Sequence, residues 1–282
     1  MSTQPNTIRN LLGRGGLYAL ELPALRPLSE PIRRRLFRRP YGADNDYYGI
    51  FPTFAAAQEA ANTLSTKSLP ASYDTDAAGR LYRDHMRRIR VSDYPLVFWL
   101  GRLLDEGHRR IFDLGGHIGV SYYGFGDYLE YPADLEWTIH DLPSVMAAGR
   151  KWAAEHDPAR RLAFTDSLED ADGQDILVST GALQYLDYTL PELLQRLQRK
   201  PRHVLVNLTP MHPSRSFFTL QNLCIAICPY RVTSVPEFTE GMQALGYRIV
   251  DHWQSLERHL RVPFEPDCTV DSYHGFHFEL QA

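Results

Sequence analysis

Three glycines and two carboxylates give this chain its clearest chemical signal. Asp113-Leu-Gly115-Gly116-His117-Ile-Gly119 follows the short apolar run Ile111–Leu114 and precedes a helical pattern that begins near Val120. Glycine permits a sharp turn and close approach of backbone to a ligand, and the helix N-terminus behind it offers unpaired N–H groups. Asp141 closes the next strand-like run, Leu135–His140, 22 residues beyond Gly119. A carboxylate at that point can accept hydrogen bonds from the two hydroxyls of a ribose, the arrangement of dinucleotide-type folds. The nicotinamide pattern G-x-G-x-x-G fails, because Gly115 is followed by Gly-His-Ile-Gly-Val. Asp141 is equally placed to cap the helix starting near Pro143.

The elements around these residues alternate. Strand-like runs at 111–114, 135–140, 162–164, 175–179 and 203–208 are separated by helical patterns at 143–155 and 190–197 and by the helix after the glycine loop. This order predicts a mostly parallel sheet with helical crossovers. A helix over 236–245 and two last strands, 247–252 and 273–280, complete seven strands. A loop without a clear helix joins that last pair, so one strand should run antiparallel. In such sheets ligands lie beyond the carboxyl ends of the strands. Helical spacing at 54–63, 76–90 and from Ser92 to Leu104 predicts a helical cap ahead of the sheet.

The whole composition sets limits. The 282 residues carry a net charge of −4, with 44% hydrophobic and 23% charged residues, enough for a sizeable core and without a general pull toward nucleic acid. No apolar run reaches the ~18 residues of a membrane helix, and a secretory signal pattern is absent. Cys224, Cys228 and Cys268 form no disulfide framework, so a cytoplasmic location is expected. No metal site is expected, the first two cysteines reading as buried apolar residues. Residues 1–40 hold eight arginines against Glu21 and Glu30, about +6 against −10 for the remainder. Leu28–Arg39 sets Ile32, Leu36 and Phe37 among arginines. This pattern suits either a solvated basic face or peripheral contact with an anionic inner membrane surface.

With these motifs in place, Asp113-Leu-Gly-Gly together with His140-Asp141-Leu142-Pro143 resembles the layout of class I S-adenosylmethionine (SAM) dependent small-molecule O-methyltransferases. From Tyr48 onward the chain more closely resembles a bacterial methyltransferase family often associated with surface-polysaccharide genes. Tyr48-Gly-Ile-Phe-Pro-Thr-Phe-Ala-Ala-Ala, Asp93-Tyr-Pro95, Ser179-Thr-Gly-Ala-Leu-Gln-Tyr-Leu186, Asn207-Leu-Thr-Pro210, Cys228-Pro-Tyr230 and Leu245-Gly-Tyr247 carry that likeness. The resemblance implies a class I methyltransferase, Rossmann-like fold. It also implies SAM as cofactor, held by Asp113, Gly115, Gly116, His117, Gly119, Asp141, Leu142, Asp166, Ser179 and Gln184.

A hydroxyl acceptor needs a proton-accepting group. His212, just past the fifth strand, and His117, in place of a family glycine, are the catalytic candidates. Residues 209–235 read as a long loop over the site. Phe217, Tyr230 and Arg231 from that loop, with Tyr122 and Tyr123, are the expected acceptor-binding residues. The expected division is a basic, partly flexible leader at 1–49, a helical cap at 50–107 and a SAM-binding domain at 108–282. The expected function is methyl transfer to a small molecule, a hydroxyl of a sugar or glycan intermediate in polysaccharide biosynthesis. The alternative is a non-catalytic SAM-fold scaffold or regulator. The oligomeric state is open.

Overall fold

The computed structural model describes residues 21, 23–40, 46–75, 78, 86 and 89–281. Ten strands occur among them: β1 (Asp46–Phe51), β2 (Arg110–Leu114), β3 (Glu136–His140), β4 (Leu162–Phe164), β5 (Ile176–Thr180), β6 (His203–His212), β7 (Phe217–Asn222), β8 (Ile227–Ser234), β9 (Tyr247–Ser255) and β10 (Tyr273–Leu280). The helices are α1 (Arg26–Phe37), α2 (Phe54–Leu64), α3 (Tyr94–Asp105), α4 (Val120–Phe125), α5 (Pro143–His156), α6 (Leu190–Arg196) and α7 (Val235–Ala244). Most of the helix expected over 76–90 falls outside the described residues, as does most of the leader expected to be flexible. Among the described residues no helix is long and apolar enough to cross a membrane.

The main sheet has the order β9-β10-β6-β5-β2-β3-β4. Strands β6, β5, β2, β3 and β4 pair in parallel, and β10 runs antiparallel to both β6 and β9. The expected mostly parallel, seven-stranded Rossmann-like sheet with one reversed strand is therefore present. Its central strands are apolar on both faces because helices cover both. Phe112, Leu177, Val204 and Phe276 pack toward α6 and α7. Ile111, Trp137, Val178 and Leu205 pack toward α3 and α4. On α3 the residues Leu96, Leu100, Leu103 and Leu104 are buried, whereas Phe98 faces outward.

The segment read as a long loop, 209–235, is instead a β-structure. β6 continues past its last pairing with β5 and ends in a parallel pairing of Met211 and His212 with Thr233 and Ser234 of β8. β7 and β8 form an antiparallel hairpin, closed by Leu223–Ala226, and β1 adds to the outer edge of β7. The hairpin escapes sequence reading because its turn, Leu-Cys-Ile-Ala, lacks the usual Asn-Gly or Gly-rich signal. Cys224 takes the left-handed conformation instead, at φ 67°. β1 also straddles the boundary expected between residues 49 and 50. Leader and cap thus fold together with residues 217–234. Phe37, Ala57, Ala61, Leu64, Leu220 and Ile227 share one buried cluster.

The basic helix α1 is docked rather than free along its whole surface. Ser29, Arg33 and Phe37 form its buried row. Arg33 bonds Glu21 at 3.2 Å and Asp46 at 2.9 Å, with the Arg33 and Glu21 side chains each 7% exposed. Removing Arg33 leaves the buried Glu21 carboxylate with only the partly exposed Arg261, at 3.1 Å, to offset its charge. Arg33→Ala is therefore expected to lower unfolding free energy by about 3 kcal/mol, read from urea denaturation beside the exposed control Arg35→Ala.

Candidate functional site

The glycine loop is shaped by its own packing. Gly115 (φ +76°) and Gly119 (φ +99°) take left-handed backbone angles that disfavour side chains. A Cβ on Gly115 would overlap Ala182, and one on Gly116 would overlap the Asp113 carboxylate. His117, at φ 57°, also lies in this region and carries a side chain. Two contacts from the end of β3 hold the loop. Gly115 N–H donates to His140 O at 2.8 Å, and His117 N–H donates to Asp141 Oδ2 at 2.8 Å. Asp141 Oδ1 accepts Leu142 N–H at 2.6 Å, so the same carboxylate serves the loop and the start of α5.

Above this loop lies a cavity of about 830 Å³ at the carboxyl edge of the parallel strands. That volume is in the upper part of the range for small-molecule sites. Gly115, Gly116, His117, Asp141, Leu142 and Asp166 line it, joined by Thr180-Gly181-Ala182 after β5. Phe54, Gln58 and Asn62 of α2 form another part of the wall, with Tyr73, Tyr185 and Tyr188. Asp141 is half-buried, and burial raises its pKa despite the two N–H donors. Each of its oxygens retains accepting capacity beyond the one N–H it holds. Asp166 is exposed and meets Arg150 at 3.4 Å.

Other sequence-derived candidates lie elsewhere. Asp113 is fully buried beneath Gly116 and accepts Trp137 Nε1–H at 3.0 Å. Burial, opposed by that donor and reinforced by Asp141, raises its pKa to about 7. It does not line the cavity, and its place is to support the loop. Gly119 is covered by Leu162 and Tyr123. Ser179 is buried and donates from Oγ to Leu114 O at 2.9 Å. Gln184 Nε2 donates to Gly181 O at 2.9 Å and faces a separate small cavity with Arg231. These four act on the loop and strand ends from behind.

The expected acceptor wall is corrected as a set. Tyr122 is buried, donating to Asp157 Oδ1 at 2.9 Å and stacking on Tyr131. Tyr123 packs in the core beside it. Tyr230 is buried, its hydroxyl 2.9 Å from that of Tyr273. Phe217 belongs to the same apolar cluster. Arg231 donates to the carbonyls of Leu186 (3.3 Å) and Asp187 (3.0 Å). None of the five lines the main cavity. Because 209–235 forms strands, alternation turns Phe217 and Tyr230 into the core and Arg231 toward the separate small cavity.

The two histidine candidates fare differently. His212 is also outside the cavity lining, and its Nδ1 accepts the N–H groups of Ser214 and Arg215 at 3.2 and 3.3 Å, closing the turn after β6. His117 does line the cavity. Its Nε2 donates to Ala78 O at 3.0 Å, and burial lowers its pKa to about 4. An imidazole so depressed is a weak proton acceptor.

Asp93, which the sequence offers only as part of the Asp93-Tyr-Pro95 motif and not as a site residue, is a third carboxylate of the cavity beside Asp141 and Asp166. It is 8% exposed and lines the cavity beside Arg90. Its side chain accepts Arg90 N–H at 2.9 Å and Asn207 Nδ2–H at 3.2 Å. Asn207 also donates to Ser92 O at 3.0 Å and accepts Trp253 Nε1–H at 3.0 Å. The Asn207 backbone carbonyl accepts Gly181 N–H at 2.9 Å. Asp93 is thereby tied through one residue to the loop after β5. Burial raises its pKa, outweighing the Arg90 N–H and guanidinium. The available signal was the pairing of a buried-strand Asn with a capping Asp, which only tertiary contact reveals.

No protein-family model matches the chain, and no curated protein matches its sequence. Among solved structures, it is similar to magnesium protoporphyrin IX methyltransferase from Synechocystis PCC 6803 with bound S-adenosylhomocysteine, at 11% identity and TM-score 0.49, covering 75% of this chain and 97% of that one. It is similar to 1,6-didemethyltoxoflavin-N1-methyltransferase from Burkholderia thailandensis at 16% identity and TM-score 0.49, covering 86% and 97%. A glycopeptide N-methyltransferase complexed with SAM shares 13% identity at TM-score 0.44, covering 69% and 100%. At scores below 0.5 the fold assignment rests on the strand order above, not on these likenesses.

The buried titratable groups set an acid sensitivity. His117, His203, His274 and His277 are each lowered to about 4, chiefly by burial. In the unfolded chain a histidine binds its proton near pH 6.5, so each of the four removes stability as pH falls from about 6.5 to about 4. Asp113, raised to about 7, acts oppositely, adding stability as pH falls from about 7 to about 4. Glu21, Asp93 and Asp141, also raised by burial, act with Asp113, and His252, also lowered, acts with the histidines; among the groups moved furthest, four histidines oppose one carboxylate. The melting temperature is expected to fall between pH about 7 and about 5, and Asp113→Asn should steepen that fall, both read by differential scanning calorimetry.

Proposed function

We propose that the chain is a SAM-dependent methyltransferase that methylates a hydroxyl of a small-molecule acceptor, with a sugar or glycan intermediate as the acceptor class. The observation that supports it is the convergence of the glycine loop, Asp141 and the β5 loop on one cavity at the carboxyl edge of the sheet. In this reading Asp141 receives the ribose hydroxyls, Leu142 and Met146 flank the adenine, and Asp166 meets its amino group. Gly115, Gly116 and Thr180–Ala182 border the methionine portion. The charged lining favours a cation, since three carboxylates, Asp93, Asp141 and Asp166, line the cavity with one guanidinium, that of Arg90.

SAM supplies a methyl group on a sulfonium sulfur, which keeps the electron pair when the carbon leaves. The residues of the chain have two tasks, alignment of the acceptor and removal of its proton. Phe54, Tyr73, Tyr185 and Tyr188 offer flat surfaces for a ring, and Gln58 and Asn62 offer amides to its hydroxyls. Asp93 replaces the histidines as proton acceptor. It lies in the cavity, is oriented by Asn207, and takes the proton that the acceptor oxygen sheds as it gains the methyl group.

Isothermal titration of SAM and S-adenosylhomocysteine tests the cofactor assignment. Wild-type protein should bind both, and Asp141→Ala should bind at least about tenfold more weakly. A well-folded wild type that binds neither would overturn the reading. With neutral sugars and ring-bearing alcohols as acceptors, Asp93→Asn should lower kcat by about a hundredfold or more while leaving the Kd for S-adenosylhomocysteine within about twofold. The wild-type rate should climb with pH through a limb above the ordinary carboxylate range, because Asp93 must be ionised to accept a proton. Unchanged kcat in Asp93→Asn removes the proton-accepting role and leaves the cofactor assignment standing.

A further inference from the structure

Helix α1 has a second, exposed face that no other element covers among the described residues. Its buried row, Ser29, Arg33 and Phe37, packs on the β1-β7-β8 extension. On another side Leu25, Leu28 and Ile32 stand 40%, 78% and 49% exposed. Their spacing of three and four residues puts them in one row along the helix. Arg35 continues that row three residues further on, and Arg38 and Arg39 are exposed near its end; Arg34 is exposed on the far side of the helix, where it and Glu30 both act on Tyr48. Among the described residues no carboxylate pairs with these four arginines. The helix's own Glu30 is engaged by Arg26 at 3.2 Å.

An exposed apolar row followed by unpaired arginines has the chemistry of a surface helix at a lipid interface. Apolar side chains enter the acyl boundary while guanidinium groups meet anionic headgroups. A protein groove would not require three cations without a carboxylate partner at one end of the row. A negatively charged bilayer complements them. We propose that α1 is a peripheral docking helix for an anionic membrane, with Leu25, Leu28 and Ile32 inserted and Arg35, Arg38 and Arg39 at headgroup level. The helix abuts α2, since Arg38 Nε donates to Leu64 O at 3.0 Å. Phe54, Gln58 and Asn62 of α2 line the cavity, so docking would bring that wall toward the lipid surface. The surface and its test do not depend on the chemistry of the cavity.

Co-sedimentation of the full chain with vesicles tests the proposal. The vesicles are pure phosphatidylcholine or phosphatidylcholine with roughly one-third phosphatidylglycerol. The expected result is binding at least about tenfold stronger to the anionic vesicles, weakened by salt. Leu28→Glu/Ile32→Glu should abolish it without changing the melting temperature, as both positions are exposed. Arg35→Ala/Arg39→Ala should weaken it. Absence of binding to either vesicle, or equal binding to both, overturns the proposal. So does undiminished binding by Leu28→Glu/Ile32→Glu, which would assign the attraction to other basic residues such as Arg9 and Arg14. Light scattering supplies the remaining outcome: a dimer in solution that Leu28→Glu dissociates would give the face to a second copy of the chain.

Discussion

The site depends on one carboxylate gripping two peptide N–H groups. Asp141 ends β3 and holds His117 of the glycine loop with one oxygen and Leu142 at the start of α5 with the other. A loop with three glycines has wide conformational freedom, and glycine loses more of it on folding than other residues. The Asp141 bonds, together with Gly115 N–H to His140 O, select one loop shape and bind it to the neighbouring parallel strand. That shape places His117 in a left-handed conformation that its side chain disfavours. Its ring bond to Ala78 adds a further tether from the cap.

A second set of bonds joins parts of the chain far apart in sequence. Trp253 in β9 donates to Asn207 in β6, and Asn207 donates to Asp93 at the start of α3. Gly275 in β10 makes this possible, because a Cβ there would overlap the Trp253 ring. The reversed strand β10 therefore does more than close the sheet. It lets an indole cross the hairpin and orient the amide that holds a buried acid. A buried carboxylate with polar partners on more than one side has a restricted orientation, which is the requirement for a group that must meet an acceptor in one geometry.

The parallel sheet was legible because its strands are short apolar runs with helical patterns between them, and because Asp113–Gly119 and Asp141 mark the first two strand ends. Gly115, Gly116 and His117 of the glycine loop, with Asp141, Leu142 and Asp166, line the cavity, whereas Asp113 and Gly119 lie behind it. The extension β1-β7-β8 was not legible. Its hairpin turn carries no Gly or Asn signal, and β1 pairs with a segment some 170 residues later, as in Tyr47 opposite Gln221. Treating 209–235 as a loop then misplaced Phe217, Tyr230 and Arg231, whose aromatic and cationic character fits a binding wall but here serves pairing and core. His212 illustrates the same limit: its position after a strand is right for chemistry, yet β6 runs on past the strand ends and carries it away from the cavity. Tertiary pairing, not local pattern, decided each case.

The extension also explains why the cavity has a second wall where a plain open sheet would leave only a crevice between loops. In a plain parallel sheet the carboxyl ends of the strands face solvent, and the loops alone must cover them. Here β6 continues into a second sheet, and Leu223 of the hairpin turn with Cys228 and Pro229 of β8, together with residues of α2, supply a further wall. Leu208, at φ 53°, follows the last residue of β6 paired with β5 and itself lines the cavity, while Thr209 and Pro210 remain paired with β10. This further wall is thus apolar and amide-bearing, whereas the loop side carries Asp141 and Asp166. A ligand that spans the cavity must be polar and hydroxyl-rich at one end and tolerate a drier, ring-lined surface at the other. That asymmetry follows from joining a Rossmann-like sheet to a hairpin through one continuous strand.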